Sequence, residues 1–541
     1  MTTTSRAGPP ESAWAPLRHP VFRAMWSAQF ASNVGGWMQT VGAQWLMLSL
    51  TSSAAYLAFI QTAASLPVLL LAIPAGAVGD LVDRRRLLLG SELFMLLAAL
   101  ALGLLALAGL VTPWILLAAI FLVGAGQAWT SPTWQTLQPE LVSEAERPRA
   151  IALGAVNMNL ARAVGPALGG LLVAATQPSV VFLVNAATFL VVIVVVWRWK
   201  ERRGVVAGAG TPHAPLPRES IREAMRASGR YVVASPALRT VLLRAALFVL
   251  FASAIWALLP AVADDGLGLG SGGYGLLLGC VGAGAVGGAT LLPRLRARLS
   301  ADWILAAGSL AVAVTALVMA TVDSTAAVAA ALVLAGVGWI AVLATLSSGF
   351  QTMLPAWAKA RGMAVYLVVF QGGMAIGSAL VGIAAAASGV DAVLLVAAVA
   401  LAAGPLVALR APFPRIEAAE LTPACDWPLP SLAGADAAGR AAAGPVLVTV
   451  EYRAAAGQAD ALLAALAGVR RARRRTGAIS WRIWRDAAAP ERVLEQFVVG
   501  SWDEHLRQHA RFTTRDQARL DAVRALTDPA TPPLVTHWTS A

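Results

Sequence analysis

Residues 76–86 read GAVGDLVDRRR, a charged turn set between two apolar runs that are each long enough to cross a membrane. Upstream, 54–78 is almost wholly apolar, and downstream, 87–110 carries only Glu92 as a formal charge. A membrane-spanning helix takes about 20 such residues at about 1.5 Å each. The reading is two spans joined by a short loop holding Gly76, Asp80, Asp83, Arg84, Arg85 and Arg86. A loop so rich in arginine is expected on the cytoplasmic side.

The rest of the chain agrees with that turn. Of 541 residues, 58% are hydrophobic and only 13% charged, about half the charged share of an ordinary soluble domain. This is the composition of an all-α polytopic membrane protein, with the lipid bilayer as its surroundings. The net charge of +12 does not point to nucleic acid as a partner, because the basic residues sit in short loops beside apolar spans, where positive charge sets topology. A nucleic-acid surface would show them as a patch interleaved with aromatics. Cys280 lies in an apolar span and Cys425 in a linker, so no disulfide framework is expected. Residues 1–20 are polar and proline-bearing, without the apolar core of a signal peptide, and read as a cytoplasmic tail.

Apolar runs of spanning length recur at 22–49, 54–78, 87–110, 113–135, 150–175 and 178–197, forming a first six-helix half over 21–197. A basic hydrophilic stretch, 198–239, reads as a cytoplasmic central loop. A second half over 240–410 repeats the pattern at 240–263, 272–293, 302–322, 325–347, 362–387 and 389–409, giving about twelve spans. With the amino terminus inside, the loops near Val111, Gln177, Asp323 and Gly389 and at 264–271 fall outside, and none holds a Lys or Arg. The inside loops hold Arg84 to Arg86, Arg147, Arg149, Arg294, Arg296, Arg298, Lys359 and Arg361. That asymmetry puts both termini in the cytoplasm of a protein of the cell membrane.

The halves also resemble each other. Pro20 and Arg23 precede the first span as Pro236 and Arg239 precede the seventh, and Trp134-Gln135-Thr136-Leu137-x-Pro139 matches Phe350-Gln351-Thr352-Met353-x-Pro355. After a small difference in loop length, Arg149, Asn159, Gly165 and Gly170 align with Arg361, Gln371, Gly377 and Gly382. Two six-helix repeats of parallel type are expected.

Beyond Arg410 the composition changes. Residues 411–444, rich in Pro, Ala and Gly, read as a linker. Over 445–541 the pattern predicts a strand at 446–452, a helix at 458–475, strands at 479–485 and 493–502, a helix from 503 and a strand at 535–538. This β-α-β-β-α-β order predicts an α+β ferredoxin-like domain, with Trp481, Trp484, Trp502 and Trp538 in its core.

Gly76, Asp80 and the Asp83-Arg84-Arg85-Arg86 run resemble the signature between the second and third helices of the major facilitator superfamily, G-x-x-x-D-R-x-G-R-R. Leu81 stands where the first Arg is usual and Asp83 where the second Gly is. The aspartate-then-DRRR form is similar to the exporter branch that contains siderophore and macrolide exporters. Gly165-Pro166-x-x-Gly169-Gly170 resembles the fifth-helix signature of exporter-type members, with Ala152 and Ala161 where further glycines are usual. The fourth-helix Arg of drug/proton antiporters is absent; the stretch FLVGAGQAWTSPTWQ offers Gln127 instead. The tail is similar to small antibiotic-biosynthesis monooxygenase-type domains, which usually pair into dimeric barrels, and that resemblance implies a homodimer through this domain.

Several polar residues stand inside spans. Glu92 lies roughly 8 Å along the third helix from its cytoplasmic end; it reads either as a proton-coupling carboxylate or as a structural partner of the basic turn. Arg162, near the middle of the fifth span, costs about 3 kcal/mol to insert. It reads as a fixed charge for an anionic or acceptor-rich substrate, or as a side chain satisfied by helix carbonyls and Asn159. In the first span Gln29, Asn33, Trp37, Thr40 and Gln44 recur at helical spacing and form one polar stripe, either lining a cavity or bonding between helices. Gln61, Gln127, Asn157, Asn185 and Gln371 are weaker candidates of the same kind. In the tail, His505 and His509 stand four apart on a predicted helix, a spacing that can hold a metal. No third ligand is evident near them, so neither metal nor cofactor is expected.

Fold and resemblance together imply a secondary transporter that exports a small organic molecule by alternating access, with proton antiport, and that is not itself an enzyme. The alternatives are a fused enzyme, in which the tail oxidises the exported compound, and an uptake or sensing protein without net efflux.

Overall fold

With no water in the bilayer core, a backbone that crosses it must satisfy its own hydrogen bonds, which is why each apolar run folds as one continuous helix. In the computed structural model, residues 12, 14–79, 83–199, 221–410, 412–414, 422, 424 and 444–539 are described. The first half is built of α1 (Pro20–Leu50), α2 (Ala54–Gly79), α3 (Arg84–Leu107), α4 (Pro113–Leu137), α5 (Arg147–Ala175) and α6 (Pro178–Arg198). After α7 (Ile221–Ala234) come α8 (Pro236–Ala261), α9 (Ser271–Arg296), α10 (Ala301–Thr321), α11 (Thr325–Thr352), α12 (Lys359–Ser388) and α13 (Val390–Arg410).

Among the described residues, ten of these helices are long and apolar enough to cross a membrane. The other two long ones are α1, whose polar stripe lowers its hydropathy, and α13, whose apolar part is Val390–Leu406. Proline opens α1, α4, α6 and α8, where its missing N–H costs no helical bond. Gly389, between α12 and α13, has φ +88°, a conformation that a side chain would resist.

The chain forms two compact units. One comprises Met1–Arg203, Leu242–Ser347 and Tyr366–Phe413; the other comprises Gly204–Val241, Ser348–Val365 and Pro414–Ala541. In the first unit, the two repeats meet through the fifth helix of one and the second helix of the other, and they do so twice. On the α5–α9 side, a Cβ on Gly282 would fall 2.4 Å from Ala163 Cα, and one on Gly275 2.5 Å from the Pro166 carbonyl. On the α2–α12 side, a Cβ on Gly382 would fall 2.5 Å from that of Ala58, and Thr62 Oγ1 donates to the Ala375 carbonyl at 3.0 Å. Such reciprocity is what a twofold-related pair of repeats gives.

In the second unit, β1 (Val446–Arg453), α14 (Ala459–Thr476), β2 (Ser480–Arg485), β3 (Arg492–Val499), α15 (Trp502–Ala510), α16 (Thr514–Arg524) and β4 (Leu534–Thr539) form an α+β domain. Its sheet has the order β2-β3-β1-β4, antiparallel throughout. Three sequence expectations are corrected here. The helix expected from 503 is two, because Thr513 caps a new one in a reciprocal box with Asp516. The central stretch contains α7, whose Ala227, Ser228, Tyr231 and Val232 are buried at helical spacing. Of the four tail tryptophans, Trp502 is in the core and Trp481 half-buried, but Trp484 and Trp538 are 47% and 56% exposed. Side chains alternate across a strand, and these two fall on the face away from the helices.

Candidate functional site

The polar stripe of α1 faces α5. Gln29 Nε2 donates to Asn33 Oδ1 at 3.0 Å, and Asn33 Nδ2 donates to Asn157 Oδ1 at 2.8 Å. Asn157 in turn donates to the Trp26 carbonyl at 2.9 Å, and the Trp26 indole donates to that of Leu153 at 2.9 Å. The amide of Asn33 is therefore spent on holding α1 to α5. About one turn further, the Arg162 guanidinium lies 5.4 Å from the Trp37 ring centroid. Arg162 Nε is buried with no hydrogen bond, as are Gln29 Oε1 and Gln44 Oε1. Asn159 Nδ2 donates to the Ala155 carbonyl at 2.9 Å.

Glycines bring these helices together. A Cβ on Gly165 would fall 2.6 Å from Trp37 Cβ, one on Gly169 2.8 Å from Met38 Cα, and one on Gly170 2.9 Å from Gly275 Cα. Pro166, buried between them, removes one backbone bond of α5. Other candidates are turned to their own helices: Gln61 bonds Ser65 at 3.1 Å and Gln127 bonds Ser131 at 3.2 Å. Asn185 donates to Gln39 at 2.6 Å between α6 and α1. Gln371 is half-buried on α12.

Glu92 is 1% exposed in α3 and faces the Trp134 indole, yet neither its Oε2 nor the indole nitrogen completes a hydrogen bond. The basic turn is occupied elsewhere. Asp83 caps α3 by accepting from the Arg86 amide at 2.9 Å, and Arg84 pairs with Glu140 at 2.5 Å. Arg85 donates to the carbonyls of Val196 and Trp197 at the end of α6. Gly76 lies in α2, and Asp80 lies outside the described residues. No ion pair joins Glu92 to the turn, or to Arg162, among the described residues.

Two groupings were not visible in the sequence. Arg244 on α8 pairs with Asp302 on α10 at 2.7 Å, and Asp302 also accepts from the Phe413 amide at 3.0 Å. One turn along α8 from Arg244, Phe248 meets Trp339 at 5.8 Å, and Trp339 also meets Trp256 at 5.3 Å and Phe370 at 6.2 Å. Helical spacing alone does not say which turns of distant helices meet.

The tail holds a third imidazole near the expected two. His537 Nε2 on β4 lies 2.9 Å from His505 Nε2, which lies 3.3 Å from His509 Nε2. Among the described residues no group of three His, Cys, Asp or Glu could hold a metal ion. Burial and the neighbouring histidines push His505 down to about 3, and burial and the charge of Arg473 push His509 down to about 4. Beneath them Glu495 accepts from Arg473 at 3.0 and 3.2 Å, from Tyr452 at 3.0 Å and from Trp481 at 2.9 Å. Burial alone would raise Glu495, but the charge and hydrogen bonds of Arg473 outweigh it and hold the carboxyl below its ordinary range.

Known proteins bear out the fold. A bacterial homolog of the human lysosomal transporter Spinster, in an inward-facing and unoccupied conformation, superposes with a TM-score of 0.59 at 16% identity, covering 72% of this chain and 96% of that one. The staphyloferrin A transporter of Staphylococcus aureus is 27% identical over 169 residues, 31% of this chain and 42% of that protein. The multidrug efflux pump Tap of Mycolicibacterium fortuitum is 28% identical over 229 residues, 41% of this chain and 54% of that one. The chain thus spans about half the length of the curated relatives it matches. The family described as transmembrane secretion effector matches residues 11–541, and the chain therefore belongs to this family of major facilitator transporters.

Proposed function

We propose that this chain exports a small organic molecule across the cell membrane by alternating access, with the acidic or acceptor-rich end of the substrate meeting Arg162. The observation that carries the reading is a guanidinium laid across Trp37 with its buried Nε unbonded, on the α1 face that also carries the unbonded oxygens of Gln29 and Gln44. A charge so far inside a span is retained for a partner. The relatives that transport staphyloferrin A and efflux drugs support a siderophore, macrolide or other drug-like compound.

In this reading 21–197 and 240–410 rock against each other on the glycine contacts of α5–α9 and α2–α12, and Gly76, Asp80 and Asp83 to Arg85 form the turn that resets them. Glu92 carries the coupling proton. Residues 445–541 are a cytoplasmic module that pairs with a second copy through the open sheet face bearing Trp484 and Trp538. The arginine asymmetry of the loops supports both termini in the cytoplasm.

Inverted membrane vesicles carrying the full chain provide the test. Labelled siderophores and macrolides should accumulate under an inward-acid proton gradient and stop doing so when it is collapsed. No accumulation of any of them would overturn export.

A further inference from the structure

In the first half, the start of α3 is tied to the segment after α4, because Arg84 Nη1 lies 2.5 Å from Glu140 Oε2. The second half cannot make the same tie. Asp83 caps α3 and Ser300 caps α10 in the same way, each accepting the amide three residues on, so Arg84 corresponds to Ala301. The repeated Gln-Thr-x-x-Pro run, Gln135 to Pro139 and Gln351 to Pro355, sets Glu140 against Ala356. Both ends of the ion pair have become alanine, and residues 350–358 contain no acid at all.

Beside Ala356 stands Trp357, and its indole is gripped from two sides. The Arg511 guanidinium lies 4.3 Å from the ring centroid, and Tyr231 of α7 meets it edge-on at 5.5 Å and 83°. Arg511 is itself fixed within the C-terminal domain, donating to Glu504 Oε1 at 2.9 Å and to the Thr476 carbonyl at 3.2 Å. Arg230, next to Tyr231, donates to the same Glu504 oxygen at 3.0 Å, and Arg475 lies 5.7 Å from the Tyr231 ring. The three segments close on one another: Met353, Leu354 and Ala358 are buried on the link between α11 and α12, and Ala227 and Val232 on α7. A cation held over an indole away from water is bound more firmly than one at an exposed site.

We infer that the C-terminal domain clamps the link between α11 and α12 to α7 through Arg511 on Trp357, a hold on that link where the first half has the Arg84–Glu140 ion pair. A domain that merely rests against α7 would not need the tryptophan, and the substitutions separate the two cases.

Hydrogen exchange on the full chain in lipid nanodiscs reads the tie without any substrate, so its outcome is independent of whether export is demonstrated. Trp357→Ala, which lies outside the C-terminal domain, should speed exchange at both 353–358 and 221–234 roughly ten-fold. Arg511→Ala should do the same, and the double variant should go no further than the stronger single one, as expected of two residues in one interaction. Exchange in Trp357→Ala that stays within about two-fold of the parent, or single effects that add, would each overturn the inference.

Discussion

At the scale of single residues, the membrane unit holds Glu92 buried and Arg162 half-buried, and among the described residues neither is in an ion pair. Glu92→Gln should abolish gradient-driven accumulation in vesicles while leaving exchange of substrate for substrate intact; pumping at the parent rate would reduce Glu92 to packing. Arg162→Ala should weaken an acidic substrate at least about ten-fold, the loss of roughly 1.4 kcal/mol, and leave a neutral one nearly unchanged. Equal losses for both would mean that Arg162 holds helices together. In the tail, His505 and His509 titrate near 3 and 4 in the folded chain against about 6.5 when unfolded. Below about 6.5 the unfolded state binds more protons than the folded one, so stability falls with pH through that window and is fully present above it. Trp502 lies 5.6 Å from His505, tilted to it, and edge-on 5.3 Å from His537, so its contribution to the fluorescence of the full chain changes in the transition. An unfolding midpoint that does not drop between pH 7 and pH 4 would contradict the buried neutral imidazoles.

At the scale of elements, glycine decides which helices touch. Gly170→Val should stop transport in a chain that still inserts, because its side chain would meet the backbone of Gly275, whereas Gly90→Val, with nothing within 4 Å of its Cβ, should be silent. Loss of transport in both, or in neither, would deny α5–α9 its part in the rocking of the halves. The long helices were legible in the sequence because an apolar run of spanning length has one stable form in lipid. The α1 stripe was legible because its spacing matches the helical repeat. Its use was not: Asn33 bonds a residue 124 positions away, and nothing local distinguishes that from a side chain facing a cavity. Helix α7 escaped the reading because its apolar residues are few and its flanks carry the composition of a loop. His537 escaped because strand pairing, and not spacing, brings it to His505. The tail tryptophans were misassigned in part because Trp481 and Trp484 stand three apart on one strand, and alternation puts them on opposite faces wherever the strand begins.

At the scale of the molecule, the sheet of the C-terminal domain has one face under its helices and one open, where the Trp484 and Trp538 indoles are fixed by hydrogen bonds to Gln496 and Thr449 at 2.8 and 3.1 Å. If a second copy covers that face, Trp484→Glu with Trp538→Glu should convert a dimer to a monomer in light scattering of the full chain without loss of folded protein. An unchanged mass would remove the domain from any part in pairing. The reciprocal contacts of the two repeats also bear on how the chain is made. Thr62 of α2 finds its acceptor on Ala375, 313 positions later. At ribosomal speeds of about 5–20 residues per second, α2 stays in the bilayer for roughly a quarter of a minute to a minute before α12 emerges. For that interval its small-residue face is a vacancy, and an insertase or a neighbouring nascent helix must occupy it.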